Sequence, residues 1–183
     1  MAATTHMNHD RYDDAYIAGI LDTVKTIAMV GASANPSRPS YFAMKYLLGK
    51  NFIVIPVNPG LAGQEILGQR AVPDLASIET QVDMVDIFRN SAAALEITRD
   101  CIRLKDKLDL KVIWMQLSVR HDQAAREAEA AGLKVVMNRC PKIEYGRLSG
   151  EIGWAGVNAG VISSKRPQLG ASGFQNHVIG VKR

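Results

Sequence analysis

Thr26-Ile27-Ala28-Met29-Val30-Gly31-Ala32-Ser33 decides the fold. Five residues that are apolar apart from Thr26 run into a turn of small residues, and the apolar positions do not alternate with polar ones. That pattern fits a strand buried on both faces, as in a parallel sheet, better than a half-exposed antiparallel one. A small-residue turn straight after such a strand lets backbone N–H groups approach a phosphate. A tight turn made for purely structural reasons would read the same way, so the three letters alone leave both readings open.

Outward from this strand the chain alternates. Upstream, Ile17, Ile20, Leu21 and Val24 follow helical spacing behind Asp13 and Asp14, acidic residues that suit a helix N-terminus. Downstream, after Pro36 and Pro39, Ser40 to Gly49 places Met44, Leu47 and Leu48 on one helical face, with Ser40 as the expected N-cap and Gly49 as the stop. Phe52 to Val57 returns to strand character, as do Val82 to Phe88, Lys111 to Leu117 and Leu133 to Met137. Between them lie a helix from about Ser91 to Leu108, with Ile97, Cys101 and Leu104 on one stripe, and an Ala- and Glu-rich helix from about Asp122 to Ala131 closed by Gly132. Five strands alternating with helices predict right-handed crossovers onto one parallel sheet, an α/β, Rossmann-like, doubly wound architecture in a single domain.

Composition narrows the function classes. With 183 residues, 47% of them hydrophobic, the chain has material for one core and hardly the length for two. The opening stretch to Asp14 is polar and without the apolar core of a signal peptide, and no run approaches a membrane span, so a cytoplasmic protein with no membrane association is expected. Cys101 and Cys140, with no CxxC and no neighbouring His cluster, suggest neither a disulfide framework nor a metal site. The formal net charge of +4 suits an anionic partner, although the basic residues are scattered; Lys165, Arg166, Lys182 and Arg183 in the last stretch leave nucleic acid as an unlikely partner.

In a doubly wound sheet the ligand crevice lies beyond the C-terminal strand ends, at the point where the strand order reverses. The Gly31 turn belongs at that edge, where Ser33 adds a hydroxyl and Arg38, Lys45 and Arg89 are expected nearby as phosphate partners. Two features of the dinucleotide fingerprint are missing: there is no G-x-G-x-x-G, and the second strand ends in Val57-Asn58-Pro59 rather than in an acid. An acid there would accept from a free ribose diol and repel a phosphorylated ribose, so its absence disfavours NAD and admits coenzyme A or NADP.

Six segments, in order, resemble those of the small CoA-binding proteins related to the N-terminal domain of the succinyl-CoA synthetase alpha subunit: Ile27-Ala28-Met29-Val30-Gly31-Ala32-Ser33, Arg38-Pro39-Ser40-Tyr41, Val54-Ile55-Pro56-Val57-Asn58-Pro59, Val85-Asp86-Ile87-Phe88-Arg89-Asn90-Ser91, Trp114-Met115-Gln116-Leu117 and Asn138-Arg139-Cys140-Pro141-Lys142. The resemblance implies that Gly31, Ala32 and Ser33 cradle a pyrophosphate, with Arg38, Ser40 and Lys45 near the phosphates. It implies further that Val57, Asn58 and Pro59 flank the adenosine, that Phe88, Arg89 and Asn90 line the opposite wall, and that Gln116 reaches the crevice from the fourth strand. The expected organisation is a flexible segment over residues 1–14, a CoA-binding Rossmann-like domain over 15–162 and a basic tail over 163–183.

The synthetases use a phosphorylated histidine in a second domain, for which this chain lacks the length; His6, His9, His121 and His177 lie in the two terminal stretches or at a helix start. With no catalytic residue evident, the reading is non-catalytic binding of coenzyme A or an acyl-CoA. The competing readings are an NADP-linked oxidoreductase and a CoA-ligase subunit that requires a separate catalytic chain. A homodimer is compatible with the sequence. Cys140, beside Arg139 and Lys142, reads either as a packed thiol or as one that pairs with the coenzyme's own, whereas Cys101 falls on an apolar stripe and is expected to be inert.

Overall fold

A computed structural model of the chain describes residues 7–150. Strands β1 (Thr26–Val30), β2 (Ile53–Val57), β5 (Met84–Ile87), β6 (Val112–Met115) and β7 (Lys134–Val136) form one parallel sheet in the order β2-β1-β5-β6-β7. The helices are α1 (Asp14–Thr23), α2 (Pro39–Gly49), α3 (Ser91–Leu108), α4 (Asp122–Ala130) and α5 (Pro141–Leu148). The remaining strands, β3 (Glu65–Ile66) and β4 (Gln69–Arg70), make a separate antiparallel hairpin. The expected doubly wound α/β sheet of five parallel strands is therefore the fold observed.

Strand alternation sorts the core into two faces. Ala28, Val85, Ile113 and Val135 point to one face and pack with Ala94, Cys101 and Leu108 of α3 and Ala124, Ala125 and Ala128 of α4. Met29, Asp86, Trp114 and Val136, paired in register across four strands, point to the other. The chain reverses direction in the sheet between β2 and β5, so the crossovers before and after that reversal fall on opposite faces. The switch point lies between β1 and β5, so the Gly31 turn stands at it, as expected.

Local chemistry fixes the element ends. Pro39 occupies the first position of α2 and Arg38 is its N-cap, so Ser40 is the second helical residue and not the cap; proline's fixed φ and missing N–H suit the first position. Asn90 Oδ1 accepts from the Ala93 amide at 2.9 Å and starts α3, and His121 Nδ1 accepts from the Ala124 amide at 3.2 Å and starts α4. At the open edge of β7, the Tyr16 hydroxyl donates to the Val135 carbonyl at 3.2 Å and the Met137 amide donates to the Tyr12 hydroxyl at 2.7 Å. Tyr12, just ahead of α1, and Tyr16, within it, thus satisfy parts of an edge that would otherwise offer itself to another strand. Their burial pushes both phenols up to about 12.

Contacts divide the chain into a unit ending at Lys142, which holds the sheet, and a second beginning at Ile143. Within the second, Arg147 Nη2 lies 2.7 Å from Glu144 Oε2. The expected basic tail over residues 163–183 lies outside the described residues. Among the described residues no helix is long and apolar enough to cross a membrane.

Candidate functional site

β1 ends in a turn that only glycine can make. Gly31 has φ +88°, and a Cβ there would lie 2.5 Å from the Phe88 carbonyl oxygen and 3.0 Å from Arg89 Cδ. The turn after β1 is therefore pressed against the residues that follow β5, across the switch point. Its first amide is spent internally, since Gly31 N donates to the Val57 carbonyl at 3.0 Å. The next two are not: among the described residues no hydrogen bond uses the Ala32 or Ser33 amide. Ser33 Oγ accepts from the Asn35 amide at 3.1 Å, and Asn35 Oδ1 accepts from Ser37, so the loop beyond the turn folds on itself.

Asn58 braces the turn from the other side. Its Nδ2 donates to the Ala32 carbonyl at 2.7 Å while its Oδ1 accepts from the Gly60 amide at 2.9 Å. That second bond caps a 3₁₀ turn over Pro59–Leu61. An aspartate could accept from Gly60 but could not donate to Ala32, which is a local reason for an amide where the dinucleotide fingerprint has an acid. Val57 contributes its carbonyl to the turn and its side chain to the core.

Elsewhere some cations are paired, while others, Arg11, Lys25, Arg70, Arg126 and Lys134 among them, are exposed and have no carboxylate partner among the described residues. Arg99 pairs with Glu127, Arg103 with Asp100, Lys111 with Asp109, and Arg120 with Asp10 and Asp122. Arg38, Lys45 and Arg89 are exposed and have no carboxylate partner among the described residues. Arg89 lies directly against Gly31. Arg38 begins α2 at the far end of the turn loop, while no described contact links Lys45, on the exposed face of α2, to the turn.

Of the residues proposed from sequence, the structure thus gathers Gly31, Ala32, Ser33, Val57, Asn58, Phe88 and Arg89 at one switch point, with Pro59 just beyond. Asn90 stands beside them with its side chain engaged in capping α3. Ser40 is buried in the first turn of α2. Cys140 is buried where the chain leaves β7. Burial pushes the Cys101 thiol far above its usual range, in keeping with a packed, unreactive position in α3.

Gln116, just past β6, is buried and makes a contact that sequence reasoning missed. Its Nε2 lies 3.0 and 3.1 Å from the two carboxylate oxygens of Asp86, in the middle of β5. Asp86 is 0% exposed, between Met29 and Trp114 in the row across the sheet. Burial pushes its carboxyl up to about 8, a rise that the Gln116 hydrogen bond opposes. The signal was available: one acid inside the apolar run Val85-Asp86-Ile87 must be buried, and a buried acid demands a partner.

Comparison with known proteins gives this geometry its kin. The CoA binding domain family matches residues 25–146. An uncharacterised protein of Bacillus subtilis (strain 168), YneT, is 31% identical over 131 residues, covering 72% of this chain and 93% of its own. A hypothetical protein from Pyrococcus horikoshii OT3 superposes with a TM-score of 0.71 at 35% identity, covering 82% of this chain and all of that one (100%). An acetyl-coenzyme A synthetase of Ca. Korarchaeum cryptofilum shares the fold at a TM-score of 0.51 and 24% identity, over 62% of this chain and 26% of that enzyme. The resemblance drawn from the six sequence segments is borne out, and the chain belongs to the CoA binding domain family.

Proposed function

We propose that the chain binds coenzyme A or an acyl-CoA in the cytoplasm without transforming it, the diphosphate resting on the turn after β1. The observation that carries this reading is the pair of uncommitted amides, Ala32 and Ser33, in a glycine-dependent turn at the switch point. Buried or half-buried N–H groups without a protein acceptor are costly to leave unmatched, and phosphate oxygens are strong acceptors for them. Arg89 against the turn and Arg38 beyond it supply positive charge that no protein carboxylate neutralises among the described residues. The absence of an acid after β2 leaves room for a phosphorylated ribose.

Titration calorimetry tests this. CoA should bind more tightly than dephospho-CoA, by about tenfold for one phosphate meeting an unpaired guanidinium. Equal affinities would remove the cationic rim from the account, and no binding of either would end it. Incubating the protein with acetyl-CoA should return the thioester intact, whereas release of free thiol in proportion to protein would show a reaction.

A further inference from the structure

Asp86 and Gln116 form a buried acid–amide pair on adjacent strands, directly behind the edge that carries the ligand turn. Gln116 directly follows Met115, the last residue of β6, and its Nε2 faces both Asp86 oxygens. At a planar amide the nitrogen and oxygen diverge, so with Nε2 turned inward Oε1 is turned outward. That oxygen makes no hydrogen bond among the described residues and is not sealed from access. The two ends of an amide are similar in size and opposite in hydrogen-bonding character, so the partner decides which end faces which way.

The partner here can change character. An ionised carboxylate only accepts, and holds Nε2 inward. A protonated one carries an O–H that needs an acceptor, and Oε1 of Gln116 is the acceptor within reach; taking it turns the amide and sends the N–H groups outward. Among the described residues no charged group competes for this role. The neighbours of Asp86 across the sheet are Met29 and Trp114, and the helix positions buried on this face are Ile17, Ile20 and Leu21 of α1 and Ser40, Ala43, Met44 and Leu47 of α2. Among the described residues, burial and the opposing Gln116 bond are what shift the Asp86 carboxyl.

Building on the ligand reading above, we propose that Asp86 is a positioning residue whose proton decides whether Gln116 offers the crevice an acceptor, for an N–H group of the ligand, or a donor, for a ligand oxygen. Both kinds of group exist on the expected ligand: N–H donors on the adenine amine and the two pantetheine amides, acceptors on the amide carbonyls and phosphates. The proton exchanges with solvent and no covalent step is involved. Because burial raises the Asp86 carboxyl to about 8, the change falls in an accessible range of pH.

The test uses the full chain labelled with ¹⁵N. The Gln116 side-chain NH₂ resonances should titrate with a midpoint near that of Asp86, and the response should vanish in Asp86→Asn, which cannot ionise. The ratio of CoA affinities, wild type over Asp86→Asn, should change by about fivefold between pH 6.5 and pH 9. Repeating it with 3′-phospho-ADP, which lacks the pantetheine arm, assigns the contact: a retained change places it on the nucleotide part, a lost one on the arm. Flat Gln116 resonances, or the same pH profile for CoA in both proteins, would overturn the proposal. Should CoA not bind at all, the proposed function fails while the resonance titration still decides the amide's turn. If Asp86→Asn does not fold, Gln116→Met replaces it: the Asp86 carboxyl, followed by ¹³C shift, must then titrate higher, and an unchanged midpoint counts against the pairing.

Discussion

Asp83 and Asp86 stand three residues apart, one just before β5 and one within it, and serve opposite ends of the sheet. At the N-terminal ends of the strands, Asp83 Oδ2 accepts from the Lys25 and Thr26 amides, both at 2.9 Å, while the Asp83 carbonyl accepts from the Lys111 and Val112 amides. One residue stitches β1, β5 and β6 together, and its carboxylate is matched by donors. Toward the C-terminal ends, Asp86 has only an amide for company, two neighbouring backbone amides in the turn after β1 go unused, and Arg38 and Arg89 lack counter-charges among the described residues. The backbone amides at the start of β1 are bonded to Asp83, whereas two amides in the turn after its end are left open where a ligand would complete them.

The comparison can be broken most forcefully at Asp86. Its folded-state carboxyl is raised to about 8 from an unfolded value of 3.8, so between those two values the folded chain holds a proton that the unfolded chain has released. Stability therefore falls as pH rises through that window, by up to about 1.4 kcal/mol per pH unit, and levels off above it. Asp86→Asn should match wild type near pH 4 in chemical denaturation and exceed it by a growing margin up to pH 8; parallel curves across that range would contradict the burial account. Gly31→Val comes next. With φ +88° and a Cβ forced to 2.5 Å from the Phe88 oxygen, it should cost about 3 kcal/mol and abolish CoA binding in calorimetry. Asp83→Ala should cost about 2 kcal/mol by stranding two amides, yet leave CoA affinity within twofold, because it acts at the closed end.

Smaller effects sharpen the same contrast. Arg89→Ala should leave the melting temperature nearly unchanged and weaken CoA about tenfold, since among the described residues its guanidinium has no carboxylate partner to lose. Thr98, buried in α3, has a hydroxyl without a partner in the described structure. Thr98→Val should stabilise the fold by about 1 kcal/mol without altering affinity, a control remote from both ends.

Much of this was legible in the sequence. The runs Thr26 to Val30, Phe52 to Val57, Val82 to Phe88, Lys111 to Leu117 and Leu133 to Met137 were readable as strands, and their alternation with helical segments pointed to one parallel sheet. Gly31 could be marked as a turn residue from its place after β1. What escaped reading depends on contacts between distant segments. That Tyr12 and Tyr16 would cap the edge of β7, over a hundred residues away, has no periodic signature. The hairpin of β3 and β4 has two residues per strand, too few for any alternation to show, and α5 was passed over because its eight residues carry a weak apolar face. Asn58 was placed at the right edge, but the donation to Ala32 that explains its amide depends on the geometry of the β1 turn.

On the proposed reading the Ala32 and Ser33 amides receive a ligand's diphosphate. It is tested most directly by following ¹⁵N–¹H resonances of the full chain during titration with CoA. Ala32 and Ser33 should move downfield to saturation with a single dissociation constant, while Lys25 and Thr26, already bonded to Asp83 at the opposite end, stay fixed. Binding that leaves Ala32 and Ser33 unmoved would place the ligand elsewhere and contradict the account.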